Sequence, residues 1–278
     1  LTTIDIEKII LDLQSKFNEN LVSVYGIGSA FMSQLPSTSD VDLIVMLSNT
    51  DDCPRNDWST FLFESVKING TEIYYLYGTL DDYLDKQRFE KVSFANWEWA
   101  VRSLKFGSKF LWGKDIRSNL PEPDFSYDGI FLRSAYHLEF TSEYKLKDAE
   151  LKGKPINAHM RFSKSIFKFG FLLLAIHYPS MNVFDKEGIH DQLKSAVKEG
   201  KIEKQSLEFY DMAMTYRKGK PFEDYENNRL RYMKLLIRET INGLGVSWDD
   251  VKSLLKKGFG SYPFQEIIDH VETHGYLS

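Results

Sequence analysis

Val24-Tyr25-Gly26-Ile27-Gly28-Ser29-Ala30-Phe31-Met32-Ser33-Gln34-Leu35-Pro36-Ser37-Thr38-Ser39-Asp40-Val41-Asp42-Leu43-Ile44-Val45-Met46-Leu47 is the stretch on which the fold turns. Residues 21–27 alternate enough for a strand, and 41–47 form a nearly unbroken apolar run, as expected of a strand covered on both faces. The first strand ends in Gly28-Ser29, and the second opens on Asp40 and Asp42. Successive strand side chains point to opposite faces, so residues two apart share one and the two aspartates project together.

Two carboxylates side by side at the mouth of an apolar strand repel each other and are costly to desolvate, which a cation between them remedies. Oxygen-only ligation suits Mg²⁺ or Mn²⁺. Glycine lets the backbone approach an anion closely, so Gly28 and the hydroxyl and N–H of Ser29 are candidates for holding a phosphate. A phosphate holder beside a metal holder suggests a nucleoside triphosphate. No Walker-type loop is present, and Gly26-Ile27-Gly28 lacks the third glycine of a dinucleotide fingerprint.

The chain has 278 residues, room for two domains, and a formal net charge of -5, which argues against a long nucleic-acid partner. A single cysteine, Cys53, excludes an intramolecular disulfide. The most apolar run, 169–176, meets Pro179 too early to span a bilayer, and the N-terminus has no signal-peptide layout. These features predict a cytoplasmic protein without a membrane segment, monomeric or homodimeric.

Helical spacing predicts an amphipathic helix over 6–17. After a polar loop at 48–57, Trp58, Phe61, Leu62, Ser65 and Val66 suggest a short helix. Asn69-Gly70 is a hairpin-like turn signal before a third strand over 71–77, and helices are predicted over 80–89 and 94–111. The Pro-rich stretch 120–124 reads as a linker, so the expected domains are 1–124 and 125–278. The first is expected to be α/β around a small mixed sheet. The second is expected to be an all-α helical bundle, with Phe162, Ile166, Phe169, Leu173 and Ile176 as the seam of one helix, Pro155 before it and Pro179 after it. Further caps are expected at Asp185 and at Ser247 with Asp250, and a last helix between Pro263 and Gly275. His270 and His274 lack a third ligand nearby, and His137, His159, His177 and His190 stand singly; all are read as packed or solvated.

Gly28-Ser29 followed at this spacing by Asp40-Val41-Asp42 resembles the DNA polymerase beta-like nucleotidyltransferases. Within that superfamily, Gly28-Ser29-Ala30 and Ser39-Asp40-Val41-Asp42-Leu43 look most like the streptomycin and spectinomycin adenylyltransferases, which continue with glycines where this chain has Ser33 and Gln34. The resemblance implies a third carboxylate on the neighbouring strand. Glu72, followed by Ile73-Tyr74-Tyr75-Leu76, matches the adenylyltransferases, whereas alignment to other members brings Tyr74 to that position. Asp40, Asp42 and Glu72 would then be both metal ligands and catalytic acids, and Gly28 and Ser29 would hold the terminal phosphates. Lys168 and Lys186, with Arg161 as a further candidate, match the cations that reach the nucleotide phosphates from the helical half. Trp97 matches a tryptophan that faces the drug, with plain core as the alternative.

The implied function is metal-dependent transfer of AMP or another nucleoside monophosphate from ATP or another nucleoside triphosphate to a hydroxyl of a small molecule, such as an aminoglycoside-type antibiotic. A protein or RNA acceptor, or a catalytically silent nucleotide-binding module, stands as the alternative.

Overall fold

The computed structural model describes residues 5–32, 40–55, 62–93, 96–153, 156–258 and 263–276, without the side chain of Ser29. The chain divides into two compact units, Leu1–Phe125 with Asn182–Asp185, and Ser126–Met181 with Lys186–Ser278.

The first unit begins with α1, Ile6–Phe17, capped by the Asp5 carboxylate, which accepts from the Lys8 N–H at 3.0 Å. Strand β1 is Leu21–Ile27, α2 the single turn Ser29–Met32, β2 Val41–Leu47, β3 Phe63–Ile68 and β4 Thr71–Thr79. Three short helices follow, α3 Leu80–Leu84, α4 Lys86–Val92 and α5 Trp97–Phe106, and then β5, Ser108–Gly113. The strands form one mixed sheet in the order β3-β4-β2-β1-β5, in which only β2 and β4 run parallel. Alternation along the strands decides the two faces. Val41, Leu43, Val45 and Leu47 pack with Ile9, Leu13 and Phe17 of α1, while Ile44 and Met46 pack with Tyr83, Phe89, Val101 and Leu104 of the later helices.

Three sequence expectations are corrected here. The helix expected around 58–66 is strand from Phe63 onward, because Asn69 (φ 51°) and Gly70 (φ 85°) close a tight hairpin that pairs β3 with β4; Trp58 and Phe61 lie outside the described residues. The helix expected over 80–89 is two, since the Asp85 carboxylate accepts from the N–H groups of Gln87 and Arg88 and starts a new helix. The helix expected over 94–111 spans only Trp97–Phe106 and stops at Gly107. Beyond it the run Phe110-Leu111-Trp112 joins the sheet beside β1; Phe94 lies outside the described residues.

The second unit comprises α6 Tyr127–Glu139, α7 Glu143–Leu151, α8 Ala158–His177, α9 Lys186–Lys198, α10 Lys204–Arg217, α11 Tyr225–Leu244, α12 Trp248–Lys257 and α13 Gln265–His274, with no strand among its described residues. Asn157 caps α8, the expected Ser247–Asp250 capping box is formed, and Pro155 lies outside the described residues. Phe162, Ile166, Phe169 and Leu173 are buried along α8, and the Tyr232 ring stands edge-on to Phe162, Phe169 and Phe209. No helix among the described residues is long and apolar enough to cross a membrane.

One buried acid makes the helical unit pH-sensitive. Glu139 is 4% exposed, its Oε2 has no hydrogen-bond partner, and burial, with the Glu266 charge adding to it, pushes its carboxyl up to about 7. The folded state therefore keeps a proton that the unfolded chain releases near the ordinary carboxylate value, so stability falls as pH rises through this window. Glu139→Gln is expected to be more stable than the parent near pH 8, by about 3 kcal/mol at most. Urea denaturation at pH 4 and pH 8 checks this; a gain of the same size at both pH values would rule out the assignment.

Candidate active site

The candidate site is built by strand register. Asp42 lies opposite Tyr74 in the parallel β2–β4 pair and opposite Ile27 in the antiparallel β1–β2 pair. Val41 pairs with Ile73 and Glu72 lies opposite Lys67 of β3, while Asp40 directly precedes β2. Paired residues in neighbouring strands point to the same side, which puts Asp40, Asp42, Glu72 and Tyr74 on one face of the sheet. Both aspartates are partly exposed, as is Tyr74, and Glu72 is exposed.

Gly28 turns the chain out of β1 with a φ of +75°, a conformation that side-chain-bearing residues rarely adopt. A Cβ at that position would stand 3.2 Å from Asp42 Oδ2, so the backbone where the phosphate holder was predicted runs against one of the two aspartates. Gly26 serves a different purpose: a Cβ there would overlap the Phe31 ring at 2.5 Å. Ser29 begins α2, and its side chain lies outside the description.

The Tyr74 hydroxyl donates to Glu72 Oε2 at 2.6 Å, and Phe63 on the adjacent strand stacks against its ring at 5.4 Å. Burial pushes the Tyr74 phenol up, and the charges of Glu72, Asp40 and Asp42 push it the same way, since each disfavours a phenolate nearby. Tyr74 thus stands within the field of all three carboxylates. It was considered in the sequence only as a rival to Glu72; the i, i+2 spacing of the two on one strand was the available sign that they act together.

The second unit carries its own charged feature. Arg161, Lys164 and Lys168 recur at helical spacing on α8, and Arg133 and His137 are four apart on α6, which packs against it. Arg161 Nη1 lies 3.3 Å from His137 Nδ1. Burial holds His137 well below the usual imidazole range, and the positive charges of Arg161, Lys164, Lys168 and Arg133 deepen the effect. Four cationic side chains therefore act on a histidine that stays neutral. Lys168 therefore stands with Arg161, Lys164 and Arg133 around His137, and neither Arg133 nor Lys164 carries a sequence motif that marks it as nucleotide-binding. Lys186, at the start of α9, lies with its Nζ 5.3 Å from the centre of the Phe167 ring.

The comparisons bear on the architecture that carries these residues. A spectinomycin adenyltransferase, AAD(9) from Enterococcus faecialis, solved with ATP and spectinomycin, superposes with a TM-score of 0.52 at 16% identity, covering 84% of this chain and 98% of its own. The chain has a nucleotidyltransferase fold. A nucleotidyltransferase-like protein from Exiguobacterium sibiricum 255-15 is 10% identical over 97% of this chain and 92% of its own, at a TM-score of 0.27 that carries no argument. No protein-family model matches the chain, and no curated protein sequence matches it.

Within this nucleotidyltransferase fold the oxygen-only pair Asp40 and Asp42, on one face, fits a hard divalent cation. A third carboxylate is not gathered with them. Among the described residues no group of three or more His, Cys, Asp or Glu side chains is arranged to hold a metal ion, and the Glu72 carboxylate is turned to Tyr74 instead. Trp97 is half-buried: its indole N–H donates to the Tyr83 carbonyl at 3.0 Å, and its ring packs against the cluster that includes Tyr83, Val101 and Leu104.

Proposed function

We propose that this chain is a metal-dependent nucleotidyltransferase that moves AMP, or another nucleoside monophosphate, from a nucleoside triphosphate to a hydroxyl of a small molecule. The observation that carries the reading is the register that sets Asp40, Asp42 and Glu72 on one sheet face, with the Gly28 backbone against Asp42. The fold likeness to a spectinomycin adenyltransferase solved with ATP and its drug supports an aminoglycoside-type antibiotic as acceptor class.

Asp40 and Asp42 would hold Mg²⁺ or Mn²⁺, which when bound supplies positive charge to the phosphates. The backbone at Gly28 and the residue Ser29 would take the terminal phosphates. Glu72 would complete the ion's inner shell or, because an alcohol is a poor nucleophile near neutral pH, take the alcohol's proton as the oxygen attacks the α-phosphorus. The bond from that phosphorus to the pyrophosphate oxygen then breaks, and pyrophosphate leaves carrying the negative charge. Lys168, Lys186 and Arg161, the first and last among the cations around His137, would stabilise that charge. In this reading the nucleotidyltransferase domain is 1–124 and the helical domain 125–278.

The test is incubation with each nucleoside triphosphate, Mg²⁺ and a panel of hydroxylated antibiotics and metabolites, read by mass spectrometry for an added nucleoside monophosphate. A second reading, a silent nucleotide-binding module, is favoured by the Glu72 carboxylate being turned to Tyr74. Tight binding of Mg²⁺–triphosphate with no pyrophosphate release against any acceptor would select it.

Trp97 is assigned to the acceptor side. Trp97→Ala is expected to raise the acceptor KM about tenfold or more, the scale of a lost aromatic platform, with the triphosphate KM unchanged. Equal loss for both substrates together with a lowered melting temperature would assign the ring to the core alone.

A further inference from the structure

Tyr74 occupies a place in the site that the catalytic reading leaves unexplained. It lies in register with Asp42, it shares the face of Asp40 and Glu72, and its hydroxyl ends on Glu72 Oε2 at 2.6 Å. The ring is fixed from the edge side by Phe63, stacked at 20° between planes, so the hydroxyl is held in one direction by packing. The second oxygen of Glu72 is not used by the phenol. Glu72 is paired in register with Lys67 of β3, and its hydrogen bond to the neutral phenol holds the carboxylate toward Tyr74 without a metal ion.

We propose that Tyr74 is the positioning residue for Glu72, holding the third carboxylate away from the Asp40–Asp42 cation site until the metal-bound triphosphate draws it in. This rests on the proposed metal and carboxylate roles and adds an order of events to them. With the phenol in place, a divalent ion alone meets two carboxylates, and a third joins only when the gain offsets the loss of a charge-assisted hydrogen bond. The arrangement explains why the three carboxylates lie on one face without being gathered.

The experiment measures Mn²⁺ binding to the full chain without nucleotide, from the loss of the free-ion electron paramagnetic resonance signal. The variants are Tyr74→Phe, which keeps the ring and its stacking, Glu72→Gln, the double variant, and Asp42→Asn as the site control. Tyr74→Phe is expected to bind Mn²⁺ about three- to tenfold more tightly than the parent, the scale of one released hydrogen bond. In the Glu72→Gln background the same change is expected to do nothing, because the phenol acts only through that carboxylate. Equal or weaker binding by Tyr74→Phe, or a gain that persists beside Glu72→Gln, would overturn the inference while leaving the metal site standing. Mn²⁺ binding that Asp42→Asn does not weaken would instead overturn the metal reading, and this inference with it. Fluorotyrosine at position 74 gives a second readout in a chain of unaltered fold. Its fluorine resonance is expected to shift when Mg²⁺ and a non-hydrolysable triphosphate are added together, and an unmoved resonance in a chain that binds both would overturn the proposal.

Discussion

Asp42→Asn is expected to lower nucleotidyl transfer by about three orders of magnitude, the scale of losing a principal electrostatic element of the site, while leaving the circular dichroism spectrum and melting temperature near those of the parent. The amide keeps the size and shape of the side chain, so the partly exposed head at the end of β2 is replaced without a cavity. What it removes is a full negative charge beside Gly28 and in line with Tyr74. Asp40→Asn is expected to behave in the same way. The measurement is pyrophosphate release with the acceptor found in the panel, at saturating Mg²⁺. Unchanged turnover in either variant would reject the metal assignment.

Glu72→Gln has the second largest expected effect, a loss of about two to four orders of magnitude in kcat, the range for removing a general base. Triphosphate binding should hardly change, since Asp40, Asp42 and Gly28 remain. The amide can still accept from the Tyr74 hydroxyl, so this variant separates the loss of basicity from any loss of local order. A small effect on kcat would move the base to another group. Glu72 would then be an exposed carboxylate of β4 that serves as the acceptor for the Tyr74 hydroxyl.

The two predictions differ in how much of their basis was legible beforehand. That Asp40 and Asp42 share a face follows from strand geometry once 41–47 is recognised as a strand, and the apolar run made it so. The pairing of Tyr74 with Asp42 does not follow from either strand alone. It depends on β2 and β4 being parallel neighbours with β3 as the outer strand of a hairpin, and a slip of one residue would send Glu72 and Tyr74 to the opposite face. The two misassigned strands sit at the sheet edges, where one side faces water and the alternation is weak. β3 has no fully buried residue, and β5 follows its helix after a single glycine. Short apolar runs of that kind suit helix and strand alike until a partner strand supplies the hydrogen bonds.

The cationic group around His137 has the same origin. Arg161, Lys164 and Lys168 can be read on one helix stripe, but His137 and Arg133 come from another helix some two dozen residues earlier, and only packing brings the two stripes together. The sequence by itself determined the local grammar of this protein: the two strands and the turn that carry the acidic pair, the amphipathic helices, and the helical character of the second half. Tertiary structure alone decided which strand lies beside which, and hence that Tyr74 stands beside Asp42. Periodicity is a property of a single segment, whereas register and proximity are set by backbone hydrogen bonds and burial between segments far apart in the chain.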